Sequence, residues 1–407
     1  MRTVVFIGLQ KSGSGREAVR AAESLGYFTV VFTNIKGNLL QRNEFPDVHK
    51  MIFVDLNDEK VMQEKIKHLQ NQGLIIEAVI SFVDGYVHTA AELCKQFCIT
   101  KMPIEIEAIG KMENKIETRK FLQNTEFGIN HAIYDKGQTL DSFMEKYNFD
   151  YPVILKSPNS TGSKDVLKAE NESELKKHVE RLLRRYPDIP ILFEEYIEGP
   201  QYLVEVLVYN HDIHIVAVVE QEITKGERFI ITGYSLLAQV PQDLYESLSN
   251  VVSAIIEKLQ FTNGSCHFEL RLQDDQWKVI EINSRISGGG MNKMVEAAYG
   301  INLAEQIIKV WLGLEPSLKH NNENFVFTQY ITVSKKGTLQ KVTGKKRALQ
   351  HKGVLDVYIK PRKGALLQPP FSMGHRYAYV LATGSTIEEA KGIAKASAKE
   401  IEFHLDK

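Results

Sequence analysis

The chain has 407 residues, of which 43% are hydrophobic and 25% charged, with a formal net charge of −1. That profile fits a soluble globular protein with several domains and ample core. It excludes a bulk electrostatic attraction to nucleic acid or to a membrane surface, and no apolar run approaches the ~18 residues of a membrane span.

The opening, MRTVVFIGLQKSGSG, reads as a strand entering a Gly-rich turn and lacks the apolar length and cleavage site of a signal peptide. Residues 1–104 then alternate in character: TVVFIG, FTVVFTN and AVISFV as strands, GREAVRAAESLG, DEKVMQEKIKHLQNQG and YVHTAAELCKQF as helices. Such alternation predicts an α/β domain with a parallel sheet. Gly13-Ser14-Gly15 with Ala18 is a weak dinucleotide-type match, because the second strand ends in Thr33-Asn34 and supplies no acid for a ribose. Three cysteines, Cys94, Cys98 and Cys266, are too few for a disulfide framework and point to a reducing, cytoplasmic setting. Cys94 and Cys98, four apart on an expected helix, read as buried thiols.

Residues 105–190 hold linker helices and a first lobe. KMENKIETRKFLQN as a helix puts Lys115 and Arg119 on one face, either a solvated edge or a pair aimed at phosphate. YPVILKS is an apolar strand carrying Lys156, and burying that ammonium is costly unless its charge is used. Ser160, Thr161, Gly162 and Ser163 follow, either a plain surface turn or a flexible loop that wraps a triphosphate with backbone N–H groups. ESELKKHVERLLRRY is an amphipathic helix.

Residues 191–318 form a central lobe. LFEEYIEGPQYLVEVLVYN gives two strands around Glu198-Gly199-Pro200, HIVAVVEQEIT another strand, and DLYESLSNVVSAIIEKLQ a covering helix. Glu194-Glu195-Tyr196-Ile197 is either a solvated strand end or an edge whose backbone reads an adenine, with a carboxylate near its amino group. SCHFELRLQDDQWKVIEINSRISGGG, Ser265–Gly290, reads as a two-stranded hairpin. A loop centred on Asp275 sets Glu269 opposite Glu281 and His267 opposite Asn283, with Arg271 on the same face. Opposed like charges destabilise a strand pair. A solvated hairpin is one outcome; a cation held by Glu269, Glu281 and Asn283 is the other, and this oxygen set suits Mg²⁺ or Mn²⁺. Arg285 stands two residues on, placed to stabilise charge on an acceptor. Residues 319–407 are a small C-terminal lobe: after the helix NLAEQIIKVWLGL and the polar break KHNNEN come strands FVFTQYITVSKKG, GVLDVYIKP and YAYVLATG, then a helix over TIEEAKGIAKASAKEIEFHL.

The lysine strand with its Gly loop, the FEEYIEGPQY hinge and the HFELRL…VIEINSRISGGG hairpin, in this order, resemble the ATP-grasp superfamily of carboxylate–amine ligases over Lys111–Leu314. Within it, His-x-Glu-x-Arg and the Gly-rich run after Arg285 most resemble the L-amino acid ligases. The resemblance implies an α/β architecture: an ATP-grasp fold behind a pre-ATP-grasp domain, with a small α+β C-terminal lobe. It implies ATP-dependent amide formation from a small-molecule carboxylate and an amine through an acyl phosphate, with a homodimer as the assembly. By the same resemblance Lys115 and Lys156 contact phosphates under the Ser160–Ser163 loop, and Glu194, Glu195, Tyr196 and Ile197 line the adenine site. Arg285 steadies the acyl phosphate, and Ser287, Gly288 and Gly289 approach the substrate carboxylate. His267 and Arg271 are candidates for the substrate side, with a hydrogen-bonded structural histidine as the alternative for His267. Gln201 stands where relatives often have a ribose-binding Glu, and Gly233-Tyr234 where they often have Gly-His. Other acceptors, a carrier protein or a carboxylase- or purine-type substrate, and a non-catalytic ATP-binding role are the competing expectations.

Overall fold

The computed structural model describes residues 1–99, 103–224 and 228–406. Strands β1 (Arg2–Ile7), β2 (Phe28–Thr33), β3 (Lys50–Phe53) and β4 (Ile75–Ile80) alternate with helices α1 (Ser14–Ser24), α2 (Lys36–Leu40), α3 (Glu59–Asn71) and α4 (Val87–Phe97). The four strands are parallel in the order β3-β2-β1-β4. The apolar runs of the central strands β1 and β2 are buried on both faces, as a helix-covered parallel sheet requires, whereas the edge strand β3 is only half-buried. The third of the expected strands lies over Ile75–Ile80, three residues before AVISFV; β3 and α2 were not expected.

Two linker helices follow, α5 (Ile106–Glu113) and α6 (Lys115–Leu122). Asn114 breaks what reads as one helix, because its side chain accepts from Ile116 N and Glu117 N and caps α6. The first lobe holds β5 (His131–Tyr134), α7 (Leu140–Tyr147), β6 (Val153–Lys156), β7 (Val166–Ala169), α8 (Glu172–Arg185) and β8 (Ile191–Glu195). These strands form an antiparallel sheet in the order β5-β8-β6-β7, so β8 pairs in this lobe's sheet. An aromatic cluster fills its separate core, with the rings of Phe143 and Phe193 4.7 Å apart.

The central sheet begins with β9 (Gln201–Tyr209), β10 (Asp212–Ile223) and β11 (Ile231–Leu236), crosses α9 (Gln242–Leu259), and continues with β12 (Gly264–Gln273) and β13 (Gln276–Asn283). Helices α10 (Met291–Tyr299) and α11 (Leu303–Trp311) lead to β14 (Phe325–Ile331), β15 (Gly337–Thr343), α12 (Lys345–Gln350), β16 (Val354–Ile359), β17 (Leu366–Leu367), β18 (Ala378–Gly384), α13 (Ile387–Ala398) and β19 (Glu402–Asp406). Eight strands pair in the order β13-β12-β9-β10-β11-β14-β18-β16, so the C-terminal lobe extends the central sheet. The expected last helix stops at Ala398, and Glu402–Asp406 pairs with β15 instead. IEFHLD alternates in the strand period and finds an open edge, which overrides the helical run before it. No helix among the described residues is long and apolar enough to cross a membrane.

One side chain locks the linker to both neighbouring sheets. Arg119, 3% exposed, donates from Nε to Glu194 at 2.5 Å, from Nη1 to Val279 O at 2.9 Å and from Nη2 to Ile280 O at 2.5 Å. It therefore holds α6 to β8 and to β13, rather than joining Lys115 at a phosphate. Removing one partner of a buried ion pair costs about 3–5 kcal/mol. Arg119→Met should lower the calorimetric unfolding midpoint by roughly 10 °C. An unchanged midpoint would show that the guanidinium carries no structural load.

Candidate active site

The hairpin has the expected register, by a different route. β12 and β13 pair Glu269 with Glu281 and His267 with Asn283. The turn is the two-residue Asp274-Asp275, both left-handed with φ of 49° and 59°. Such a turn alone would shift every pair by one. A bulge after the Glu269–Glu281 pair, where Leu270 pairs with Val279, restores the register at the site. β9 adds a third column, setting Glu205 beside His267 and Gln201 beside Arg271.

The two opposed carboxylates are not equivalent. Lys115, the first residue of α6, places Nζ 3.0 Å from Glu281. Burial raises the Glu281 pKa, but Lys115 and then Lys156 outweigh it and bring it to about 2. Among the described residues, Glu269 has only Gln201 Nε2, at 3.1 Å, as a hydrogen-bond donor. Burial and the Glu281 charge push it up to about 7. For Lys115, burial opposes the charge, yet Glu281 prevails and the pKa is raised. Asn283 donates Nδ2 to His267 Nε2 at 3.2 Å, which leaves its carbonyl oxygen for another partner. Among the described residues no group of three or more His, Cys, Asp or Glu is placed to hold a metal. The candidate set is two carboxylates and one amide oxygen, hard donors suited to a small divalent ion.

His267 is 3% exposed, and in the Nδ1–H tautomer it donates to Arg285 O at 2.7 Å. Burial, then Arg285, lowers it to about 4, so the ring is neutral. It orients Asn283 and the start of the following loop from beneath.

A cavity opens between the first lobe and the central sheet. Lys115, Lys156, Ser160, Gly162, Ser163 and the Glu194–Ile197 edge line it, with Gln201, Glu269 and Glu281 at its inner end. Ile129, Ile154, Ile197, Ile223 and Ile231 give it an apolar slot. Lys156 Nζ lies 2.5 Å from Glu194, whose other oxygen takes Arg119. Burial lowers the Lys156 pKa, with Glu194 opposing. Burial likewise opposes the Glu194 charge, but Arg119 and Lys156 hold its pKa below the ordinary carboxylate value. Glu194 thus serves first to fix two cations. Glu195 turns its carboxylate to Asn130 N, 2.7 Å away.

Arg271 lines this cavity rather than the loop beyond Arg285. It donates to Gln201 Oε1 at 2.9 Å and to Ile197 O at 2.6 Å, with the rings of Tyr196 and Phe229 at 5.5 and 5.9 Å. Gln201 Nε2 also bonds Gln221 at 2.7 Å, so the Gln201 amide is held within the wall. In the Gly loop, Gly162 and Ser163 are both left-handed, with φ of 64° and 56°. Ser160 Oγ bonds Asp165 at 3.0 Å, and Met373 N donates to Gly162 O at 3.0 Å, which ties the loop to the C-terminal lobe. Thr161 faces outward, lining a cleft with Asp84, Arg285 and Ser287–Gly289.

That cleft was half-legible in the sequence. Arg285 is ion-paired with Asp84, just past β4 in the N-terminal domain. Ser287 N donates to Glu205 at 3.0 Å, and Ser14 Oγ donates to Ser287 O at 3.2 Å. Tyr330 Oη donates to Gly289 O at 2.5 Å. Glu205 is 1% exposed, and burial pushes it up to about 7. The sequence reading missed Asp84, Glu205, Tyr330 and Met373. The one available signal was Glu205, a lone acid inside the apolar strand YLVEVLVY.

Three family models match the chain in order: the ATP-grasp N-terminal domain over residues 19–98, the ATP-grasp domain over 149–293, and L-amino acid ligase C-terminal domain 2 over 329–406. An uncharacterised protein of Sinorhizobium fredii is 23% identical over 337 residues, 81% of this chain and 68% of that one. The carbamoyl phosphate synthase large chain of Pseudothermotoga lettingae is 24% identical over 74% of this chain, which spans 28% of that much longer relative. Among solved structures, the L-amino acid ligase of Bacillus licheniformis superposes with a TM-score of 0.84 at 20% identity, covering 100% of this chain and 99% of that one. N5-carboxyaminoimidazole ribonucleotide synthetase of Thermotoga maritima covers 100% of both chains with a TM-score of 0.72 at 16% identity. The biotin carboxylase domain of the Hydrogenobacter thermophilus 2-oxoglutarate carboxylase gives 0.73 at 16% identity, over 100% of this chain and 91% of that one. The chain thus carries ATP-grasp domains followed by an L-amino acid ligase C-terminal domain, and its fold is that of the solved ATP-grasp ligases.

Proposed function

We propose that the protein uses ATP to join an L-amino acid, through its carboxylate, to an amine, by way of an acyl phosphate. The observation that carries this reading is the position of Arg285. It follows Glu281 by four residues and lines the cleft that holds Ser287–Gly289. The site thus has a phosphate end and an acyl end with a guanidinium between them. The Hydrogenobacter neighbour, crystallised with MgADP and bicarbonate, supports a nucleotide in the first cavity.

The adenine would lie in the isoleucine-lined slot against Glu194–Ile197, with the phosphates toward Lys115 and Lys156 under the Ser160–Ser163 loop. Glu269, Glu281 and Asn283 would hold a divalent cation, Mg²⁺ or Mn²⁺, which would supply charge neutralisation to the phosphates. A substrate carboxylate oxygen attacks the γ-phosphorus, the bond to the bridging oxygen breaks, and ADP leaves. The amine nitrogen then attacks the acyl carbon, the C–O bond to phosphate breaks, and the amine proton leaves with phosphate. Arg285 stabilises the developing oxyanion, and the backbone of Ser287–Gly289 positions the acyl group. The Gly162–Met373 contact closes the loop over the site, and this excludes water from an intermediate that hydrolyses readily.

Release of ADP should depend on an acid and an amine together, with the amide mass appearing in the products of a matrix of amino-acid pairs. Glu281→Ala and Arg285→Ala should each lose at least about a hundredfold in ADP release while still unfolding cooperatively. Wild-type-like turnover in Glu281→Ala would end its role as a metal ligand, and in Arg285→Ala its role at the oxyanion. The loop supplies an independent test on stability. The Glu205 pKa is about 7 in the folded chain against an ordinary 4.5. A raised carboxyl pKa favours the fold below the ordinary value, and that contribution is lost as pH rises through the folded value. Glu205→Gln cannot ionise and still accepts from Ser287 N. Its stability relative to wild type should therefore improve between pH 5 and pH 8, by up to about 3 kcal/mol. A pH-independent difference in unfolding midpoint would contradict the assignment.

A further inference from the structure

A second cavity, of roughly 1230 Å³, lies between α1, the Gly289-Gly290 turn and the C-terminal lobe. Six cations line it, Lys11, Arg16, Arg20, Lys293, Lys360 and Arg376, against the single acid Glu17. Three of them are neutralised from outside: Lys11 by Glu44 at 3.3 Å, Lys293 by Asp356 at 2.6 Å, and Arg16 by Asp47. Arg20, Lys360 and Arg376 remain to face Glu17, so the cavity favours an anionic group.

Arg376 is the best-placed of these. Its guanidinium carbon stacks 3.9 Å above the Tyr330 ring, and Tyr234 presents a second ring at 5.8 Å. Tyr330 is itself fixed by its hydroxyl on Gly289 O. A Cβ added at Gly289 would stand 3.1 Å from Arg376 Nη2, so the loop backbone passes directly beside the fork. Arg376 Nη1 is buried and has no hydrogen-bond partner among the described residues. A buried cationic donor left unused is unfavourable, and a planar fork held by stacking is shaped to take both oxygens of a carboxylate. Neither the phosphate end nor Arg285 uses this donor.

We propose that Arg376 binds a substrate carboxylate that does not react, making the enzyme prefer carboxylate-bearing substrates over their neutral counterparts. The inference rests on the ligase function proposed for this chain and names the substrate class of that site. The carboxylate has two chemical sources: a second acid group on the activated amino acid, or the free α-carboxylate of an amino acid serving as the amine.

Steady-state ADP release separates the two. In one series aspartate and glutamate are compared with asparagine and glutamine as the acid. In the other, amino acids are compared with their amides as the amine. In wild type, one series should show KM raised by about 30-fold or more when the carboxylate is removed. Arg376→Leu should shrink that discrimination below about threefold and Arg376→Lys should fall between, with KM for ATP within about twofold throughout. Response in the first series assigns the subsite to the acid, and in the second to the amine. Absence of discrimination in wild type, its persistence in Arg376→Leu, or a rise in KM for ATP instead would each overturn the proposal. Should Arg376→Leu fail to fold, Arg376→Lys carries the same comparison. Should no pair release ADP, the ligase reading fails on its own. Calorimetric binding of glutamate against glutamine, and of glutamine against its α-amide, to wild type and Arg376→Lys, then still decides the subsite: a preference for the carboxylate in either pair, lost in the variant, supports it, and equal binding within both pairs in wild type overturns it.

Discussion

Two carboxylates facing each other across adjacent strands set the terms for the rest of this molecule. Glu269 and Glu281 repel, and burial makes the repulsion worse. The chain meets this with Lys115 from the linker and Lys156 from the first lobe, cations separated from the hairpin by more than a hundred residues. Lys156 in turn needs Glu194, and Glu194 needs Arg119. The acids and bases alternate along one buried chain of contacts, so the lobes are joined electrostatically at the place where a charged ligand would enter. The arrangement explains why a linker helix begins where it does: its first residue must reach the hairpin.

What the sequence revealed depends on the range of the interaction involved. Alternation along β12 and β13 is local, and it specified which residues share a face even though the turn and the bulge were both unforeseen. The two differences cancelled, because one extra residue in the strand offsets a turn shorter than expected. Long amphipathic helices such as α8 and α9 were equally plain. Short strands were not. β3, β5, β7 and β11 span only four to six residues, and each is a strand because a neighbour offers it a ladder. β19 was hidden in the continuation of a helical pattern, and only the open edge of β15 decides its state.

At the site, the same division separates chemistry from employment. Residue types in a motif announced that charge would be handled at this hairpin. Arg119, His267 and Arg271 all have suitable chemistry, and all three spend it on backbone carbonyls and neighbouring side chains. Burial is the discriminating quantity, and it follows from the packing of lobes rather than from spacing. Asp84, Glu205 and Tyr330 come from three different sheet regions, and nothing in their immediate sequence marks them as partners of one loop.

That loop shows how the domains divide the work. Ser287–Gly289 is held by Ser14 from the N-terminal domain, by Glu205 from the central sheet and by Tyr330 from the C-terminal lobe. All three contacts fall on backbone atoms, and two of the three loop residues have no side chain. The loop can therefore present N–H and C=O groups but few side-chain contacts. Selection must come from the walls around it. The nucleotide side is fixed by the hairpin and the linked ion pairs, whereas the opposite wall is built by α1 and by strands of the C-terminal lobe. Residues there can change without disturbing the charge balance that holds the hairpin together. The Met373–Gly162 hydrogen bond is a point where that wall touches the phosphate loop. Through it, the wall of the second cavity and the Gly loop over the first are joined by a backbone contact.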